Sequence, residues 1–114
     1  MELSELLKTI ADTNRLRILA LLDGRIPCVC DLEAALLLNQ SNLSRHLNRL
    51  RHAGLVQATK KGLFVYYQRI DQADPGIKPI LDGLYEALRQ APAFADDQVR
   101  LAAFLKTKPD KYCG

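Results

Sequence analysis

Asn39-Gln40-Ser41-Asn42-Leu43-Ser44-Arg45-His46-Leu47-Asn48-Arg49-Leu50-Arg51-His52-Ala53-Gly54 is the stretch that decides the fold of this 114-residue chain. Leu43, Leu47 and Leu50 fall at helical spacing and form an inward stripe. Asn39 is suited to cap the helix, Leu38 and Leu43 stand where a hydrophobic staple would, and Gly54 closes the C-terminus. The spacing leaves Ser41, Asn42, Arg45, His46, Asn48 and Arg49 on outward faces. A helix of about four turns, apolar on one side and rich in amides and guanidinium groups on the other, is built to dock and to read.

Upstream, Asp31 to Leu36 reads as a shorter helix with acid in its first turn, where the helix dipole favours it, and Leu37 and Leu38 lead through a turn. Downstream, Leu55 to Thr59 and Leu63 to Ile70, with Phe64-Val65-Tyr66-Tyr67, have strand composition and are joined by Lys60-Lys61-Gly62. Further out, Leu3, Leu6, Leu7 and Ile10 recur at helical spacing. Asp12-Thr13-Asn14 offers caps for a helix carrying Leu16, Ile18, Leu19 and Leu22 that Gly24 stops. After Asp74-Pro75-Gly76 comes a helix with Ile80, Leu81, Leu84 and Leu88; after Ala91-Pro92, a last one with Val99, Leu101, Phe104 and Leu105.

Short helix, turn, longer polar-faced helix and basic hairpin predict a winged helix-turn-helix, mainly α with a small β-hairpin. The expected organisation is one domain over residues 1–106, with the helix-turn-helix at about 31–53, the wing at about 55–70, and a flexible polar tail at 107–114.

Charge points the same way. Between residues 34 and 70 there is no Asp or Glu, while Arg45, Arg49, Arg51, Lys60, Lys61 and Arg69 supply six positive charges. The rest of the chain has ten basic and 13 acidic residues, so the net +3 hides a basic block in an acidic protein. Such a block is the footprint of a phosphate-binding surface, and double-stranded DNA is the expected partner. Arg45 and Arg49 suit guanine edges or phosphates, Gln40, Asn42 and Asn48 suit adenine, and Ser41 and Ser44 suit either bases or phosphates. Lys60 and Lys61 at the hairpin tip would lie along the flanking backbone or the minor groove.

Composition is that of a globular protein, 48% hydrophobic and 25% charged. No apolar run reaches the roughly 18 residues that span a bilayer, and the acidic start Met1-Glu2-Leu3-Ser4-Glu5 is unlike a secretory signal, so a cytoplasmic protein without membrane contact is expected. Three cysteines in a reducing compartment argue for metal binding or redox sensing over a disulfide framework. No phosphate-cradling glycine loop or nucleophile motif points to an enzyme. Asp82 and Glu86 have no imidazole beside them, which disfavours a zinc site there.

The run Gln40-Ser41-Asn42-Leu43-Ser44-Arg45-His46-Leu47, followed by Ala53-Gly54-Leu55-Val56, resembles the signature of the ArsR/SmtB family of winged-helix repressors. Ala11-Asp12-Thr13-Asn14-Arg15-Leu16-Arg17-Ile18-Leu19 and Gly62-Leu63-Phe64-Val65-Tyr66-Tyr67 extend the resemblance from about Leu6 to Ile70. It implies an operator-binding homodimer formed through the first and last helices, with which the terminal apolar stripes are compatible, although Leu84 and Leu88 fit an intrachain core equally well. Leu37 departs from the pattern, since the family often has a glycine in that turn; a wider or differently packed turn is the expected consequence.

Cys28-Val29-Cys30-Asp31-Leu32 resembles the Cys-Val-Cys-Asp-Leu motif of the arsenite-responsive branch. The resemblance implies a repressor released by trivalent arsenic, either arsenite or methylarsenite, or by antimonite, acting as inducer with no further cofactor. In related repressors a third cysteine often follows three residues after the second; here Glu33 stands there. The ligand set so implied is Cys28, Cys30 and Cys113, the last from the same or the other subunit, or else the two-thiol pair alone for a monomethylated arsenical. Chemistry by itself leaves cadmium, lead, zinc and mercury as alternatives, because all accept thiolates. Disulfide redox sensing and simple burial of the cysteines are the other readings. Residues i and i+2 do not face one another on a regular helix, so chelation by Cys28 and Cys30 is expected to reshape the helix start.

Overall fold

In the computed structural model, which describes residues 1–72 and 74–108, the order is α1 (Leu3–Ile10), α2 (Thr13–Leu21), α3 (Val29–Leu36), α4 (Gln40–His52), β1 (Val56–Lys61), β2 (Phe64–Arg69), α5 (Lys78–Gln90), a 3-10 turn (Pro92–Phe94) and α6 (Ala95–Thr107). This is the mainly helical winged helix-turn-helix predicted. The caps are local chemistry. Asp12 Oδ1 accepts the Arg15 N–H at 3.1 Å and Asn39 Oδ1 accepts the Asn42 N–H at 2.8 Å, which fixes the starts of α2 and α4. Gly24 and Gly54 end the runs after these helices at φ +66° and +75°, conformations a Cβ would strain.

Two readings differ from expectation: Lys60 and Lys61 belong to strand β1, opposite Val65 and Phe64, so the hairpin turns at residues 62–63, and the other concerns α3. α3 starts at Val29, two residues before Asp31, because Asp31 serves from inside the first turn: its Oδ2 accepts the Cys28 N–H at 3.0 Å. The turn between α3 and α4 spans residues 37–39. Leu37 takes the left-handed conformation itself, φ 56° and ψ 35°, as a glycine would, and leaves its side chain 71% exposed.

The core gathers Leu6 of α1, Ile18, Leu19 and Leu21 of α2, Leu32 and Leu36 of α3, Leu43, Leu47 and Leu50 of α4, with Leu81 and Leu101 from α5 and α6 closing it. Leu88 is buried and Leu84 half-buried, so both serve the intrachain core. α6 lies along α3 and is clamped to it by a buried network. Asp97 takes both Arg17 Nε (2.9 Å) and Arg17 Nη2 (2.8 Å), together with Arg100 Nη2 (2.7 Å). The same guanidinium groups donate to the Leu36 and Ala35 carbonyls at 2.8 and 2.7 Å, satisfying the open C-terminal end of α3.

The wing is an antiparallel pair in the register Val56↔Arg69 to Lys61↔Phe64. It is stitched to the chain ahead of α3, since Cys28 bridges Tyr66 and the Tyr67 N–H donates to the Pro27 carbonyl at 2.9 Å. Arg69, part of the basic block in sequence, is turned inward. It donates to the Leu19 carbonyl, pairs with Asp23 at 3.4 Å and stacks 3.8 Å over Tyr85. Among the described residues, no helix is long and apolar enough to cross a membrane.

Candidate nucleic-acid interface and thiol centre

α4 presents its polar side to solvent as its periodicity requires. Gln40, Ser41, Ser44, Arg45, Asn48 and Arg49 are exposed and Asn42 is half-exposed. Their mutual contacts are loose: Arg45 to Asn42 at 3.2 Å, Arg51 to Asn48 at 3.3 Å and Arg49 to Glu5 at 4.0 Å. Exposed pairs of this kind contribute little and yield readily to a phosphate or a base edge. Gln40 and Ser41 lie in the first turn of α4, where unpaired backbone N–H groups and the helix dipole favour an anion. Lys60 and Lys61 are exposed beside the wing tip, with the Lys61 ammonium 5.7 Å from the Tyr66 ring centre.

His46 does not join this surface. It is 5% exposed, with Nδ1 3.3 Å from Arg15 Nη1 and 3.9 Å from Asp12 Oδ1, so it ties α4 to the start of α2. Burial, opposed by the Asp12 charge and aided by Arg15 and Arg45, holds its pKa below the ordinary 6.5. The spacing carried the signal: residue 46 lies three beyond Leu43 and four before Leu50, inside the buried stripe. Its polarity hid it.

The thiol centre sits at the other end of the helix-turn-helix. Cys28 is the residue before α3, in extended conformation at φ −88° and ψ 172°, and Cys30 is the second residue of the helix. The two sulfurs approach to 2.7 Å. Cys28 lies outside the helix, and its extended backbone brings its side chain toward Cys30. Asp31, which was not among the expected site residues, belongs to the same cluster. One of its oxygens and both sulfurs lie within 4.8 Å of one another, and Asp31 and Cys28 are buried. Lys108 reaches the same carboxylate, its Nζ standing 2.8 Å from Oδ1. Nothing in the local sequence around residue 28 announces Lys108, which arrives from the end of α6. Cys113 lies outside the described residues.

Residues 12–58 match the family model described as bacterial regulatory protein, arsR family. Over 97 residues the chain is 36% identical to an arsenic resistance transcriptional regulator of Pseudomonas putida, covering 83% of this chain and 73% of that one. It is 46% identical over 66 residues to the arsenical resistance operon repressor of Escherichia coli, 56% of each chain. A cadmium resistance regulatory protein of Listeria innocua is similar too, 39% over 61 residues, 53% of this chain and 51% of that one. Among solved structures, HlyU from Vibrio cholerae superposes with a TM-score of 0.62 at 34% identity, over 74% of this chain and 88% of that one. With a winged helix-turn-helix, an exposed polar recognition helix and relatives that are transcriptional regulators and not enzymes, the chain belongs to the ArsR family of bacterial regulatory proteins.

Proposed function

We propose that this regulator represses by binding operator DNA as a homodimer and is released when a trivalent arsenical binds Cys28 and Cys30. The observation that carries the reading is the convergence of the two sulfurs, 2.7 Å apart, at the start of the first helix of the helix-turn-helix. Arsenite suits them. Each thiol proton leaves with one arsenite hydroxide as water, two As–S bonds replace two As–O bonds, and no oxidant is needed. Antimonite follows the same exchange, and methylarsenite reaches the same two-sulfur chelate. Cys113 is a candidate third sulfur from the tail.

The route to DNA is short. Cys28 belongs to the segment stitched to the wing at Tyr66, whereas Cys30 belongs to α3, which leads through Leu37 to α4. A ligand that ties one sulfur to the other acts across the seam between wing and recognition helix, biasing their relative setting. A differential affinity of about 2 to 3 kcal/mol would weaken operator binding roughly 30- to 150-fold. The DNA-facing set is Gln40, Ser41, Asn42, Ser44, Arg45, Asn48, Arg49, Lys60 and Lys61. Leu3 and Leu7 on α1, each 49% exposed, and Val99 on α6, 67% exposed, supply apolar surface for the dimer.

Fluorescence anisotropy on the protein's own promoter tests the reading, with arsenite, methylarsenite and cadmium titrated under non-thiol reductant. Release by arsenite that is lost in Cys28→Ser and in Cys30→Ser is the expected result, and Cys113→Ser reports on the tail. Arsenite without effect on the wild-type complex would overturn it. The sulfur proximity favours one second reading: loss of two protons and two electrons to a peroxide gives a Cys28–Cys30 disulfide. That reading requires release by peroxide and reversal by reductant, with no arsenical present.

A further inference from the structure

The two oxygens of Asp31 do different work. Oδ2 accepts the Cys28 N–H and holds the start of α3, whereas Oδ1 faces the Lys108 ammonium at 2.8 Å. The pair is sheltered, the Asp31 side chain being 4% and the Lys108 side chain 18% exposed. Lys108 is the residue that closes α6, so its ammonium is a cation delivered to the thiol centre by a helix remote in sequence. Together with Asp31 it lines a cleft of about 320 Å³ whose walls include Pro27, Tyr66, Leu101 and Leu105.

Two sulfurs and one carboxylate oxygen within 4.8 Å form a donor set that zinc or cadmium would accept, with water as a fourth ligand. Trivalent arsenic needs less. It binds three groups, takes two sulfurs, and keeps its own hydroxyl or organic substituent as the third. The state of Asp31 therefore separates the two classes of ligand, and Lys108 controls that state.

We infer that Lys108 is a specificity-determining residue: its tethered ammonium holds the Asp31 carboxylate away from metal coordination, leaving Cys28 and Cys30 a two-sulfur chelate for neutral arsenicals and closing the site to divalent cations. This rests on the thiol pair being the ligand site proposed above. The positive charge acts twice, since it engages Oδ1 while the Cys28 N–H engages Oδ2, and it repels a dication. A neutral arsenical meets neither obstacle.

The test uses full-length protein under non-thiol reductant, with cadmium chloride followed by sulfur-to-cadmium charge-transfer absorbance against a competing chelator. Lys108→Met keeps the apolar stem and removes the charge, and is expected to bind cadmium about tenfold tighter. Lys108→Arg keeps the charge and is expected to behave as wild type. Adding Asp31→Asn to Lys108→Met is expected to cancel the gain, because an amide still accepts the Cys28 N–H but is a poor ligand. The arsenite concentration that releases operator DNA should stay within about twofold in both Lys108 variants, which a merely unfolded helix end would not allow. Unchanged cadmium affinity in Lys108→Met, or a gain that survives Asp31→Asn, would overturn the inference. If arsenite fails to release the wild-type complex, the proposed function falls, while the cadmium titration still reads Lys108 independently.

Discussion

His46 is polar, lies on the helix expected to read DNA, and faces inward. Its pKa is held below 6.5 by burial, so between that lowered value and 6.5 the unfolded chain carries a proton that the folded chain does not. Stability linked to His46 is therefore full above pH 6.5 and is lost as pH falls through 6.5 toward the lowered value. The expected outcome is a melting temperature that drops, as pH falls below 6.5, more steeply in wild type than in His46→Gln. Identical pH profiles for the two proteins in differential scanning fluorimetry would rule out His46 as the cause. Asp12, close to the imidazole, is pushed up by burial but pulled lower overall by the Arg15 amide, the Arg15 charge and His46. Its charge is what the imidazolium would gain on protonation, and the Arg15 guanidinium at 3.3 Å is what it would meet.

At the scale of elements, the turn between α3 and α4 and the clamp from α6 hold the reading head in place. Leu37 adopts a left-handed conformation with its side chain largely in solvent, so little burial offsets its steric cost. Leu37→Gly is expected to raise stability by about 0.5 to 1 kcal/mol in urea unfolding, a gain reduced by the greater freedom of glycine in the unfolded chain. A loss of stability would show that the leucine makes contacts the exposed side chain does not suggest. The clamp predicts the opposite sign. Asp97 is 4% exposed and receives both Arg17 and Arg100, so Asp97→Asn leaves two guanidinium groups without their counter-charge and is expected to cost about 2 kcal/mol. Because both arginines also hold the end of α3, the same variant should loosen the turn, seen as faster amide exchange at residues 35–39.

For the whole molecule, the charge distribution sets how it meets DNA. The recognition helix and the wing carry exposed Arg45, Arg49, Lys60 and Lys61 on the part of the chain that lacks acidic residues. Lys60→Ala with Lys61→Ala is expected to weaken binding about equally for operator and unrelated DNA. It should also flatten the plot of log affinity against log salt by about 0.9 for each phosphate that is no longer neutralised. Arg45→Ala is expected instead to reduce the preference for operator over unrelated DNA, by about 1 to 3 kcal/mol if it pairs with a guanine. Anisotropy over a salt series distinguishes the two. For the proposed dimer, Val99→Arg places a charge on the exposed Val99 position of α6, and the expected outcome is a sedimentation profile shifted to monomer with weakened operator binding.

What the sequence determined by itself were the features whose causes are local. Leucine spacing set the helices, Asp12 and Asn39 set two starts, glycines 24 and 54 set two ends, and Lys60-Lys61-Gly62 marked the wing; the acid-free block and the Cys28-Val29-Cys30 motif marked where chemistry would concentrate. The tertiary structure decided what depends on residues far apart in the chain. His46 turned inward because Arg15 and Asp12 wait beneath it, and Arg69 left the basic face because Leu19, Asp23 and Tyr85 receive it. The two sulfurs met because Cys28 is extended and bridged to the wing, a conformation that the i, i+2 rule for helices does not describe. Asp31 and Lys108 are 77 positions apart and meet only because α6 lies along α3. Periodicity fixes which face of a helix is apolar, but the partner of a charged side chain is fixed by packing, and packing is not written in any one segment.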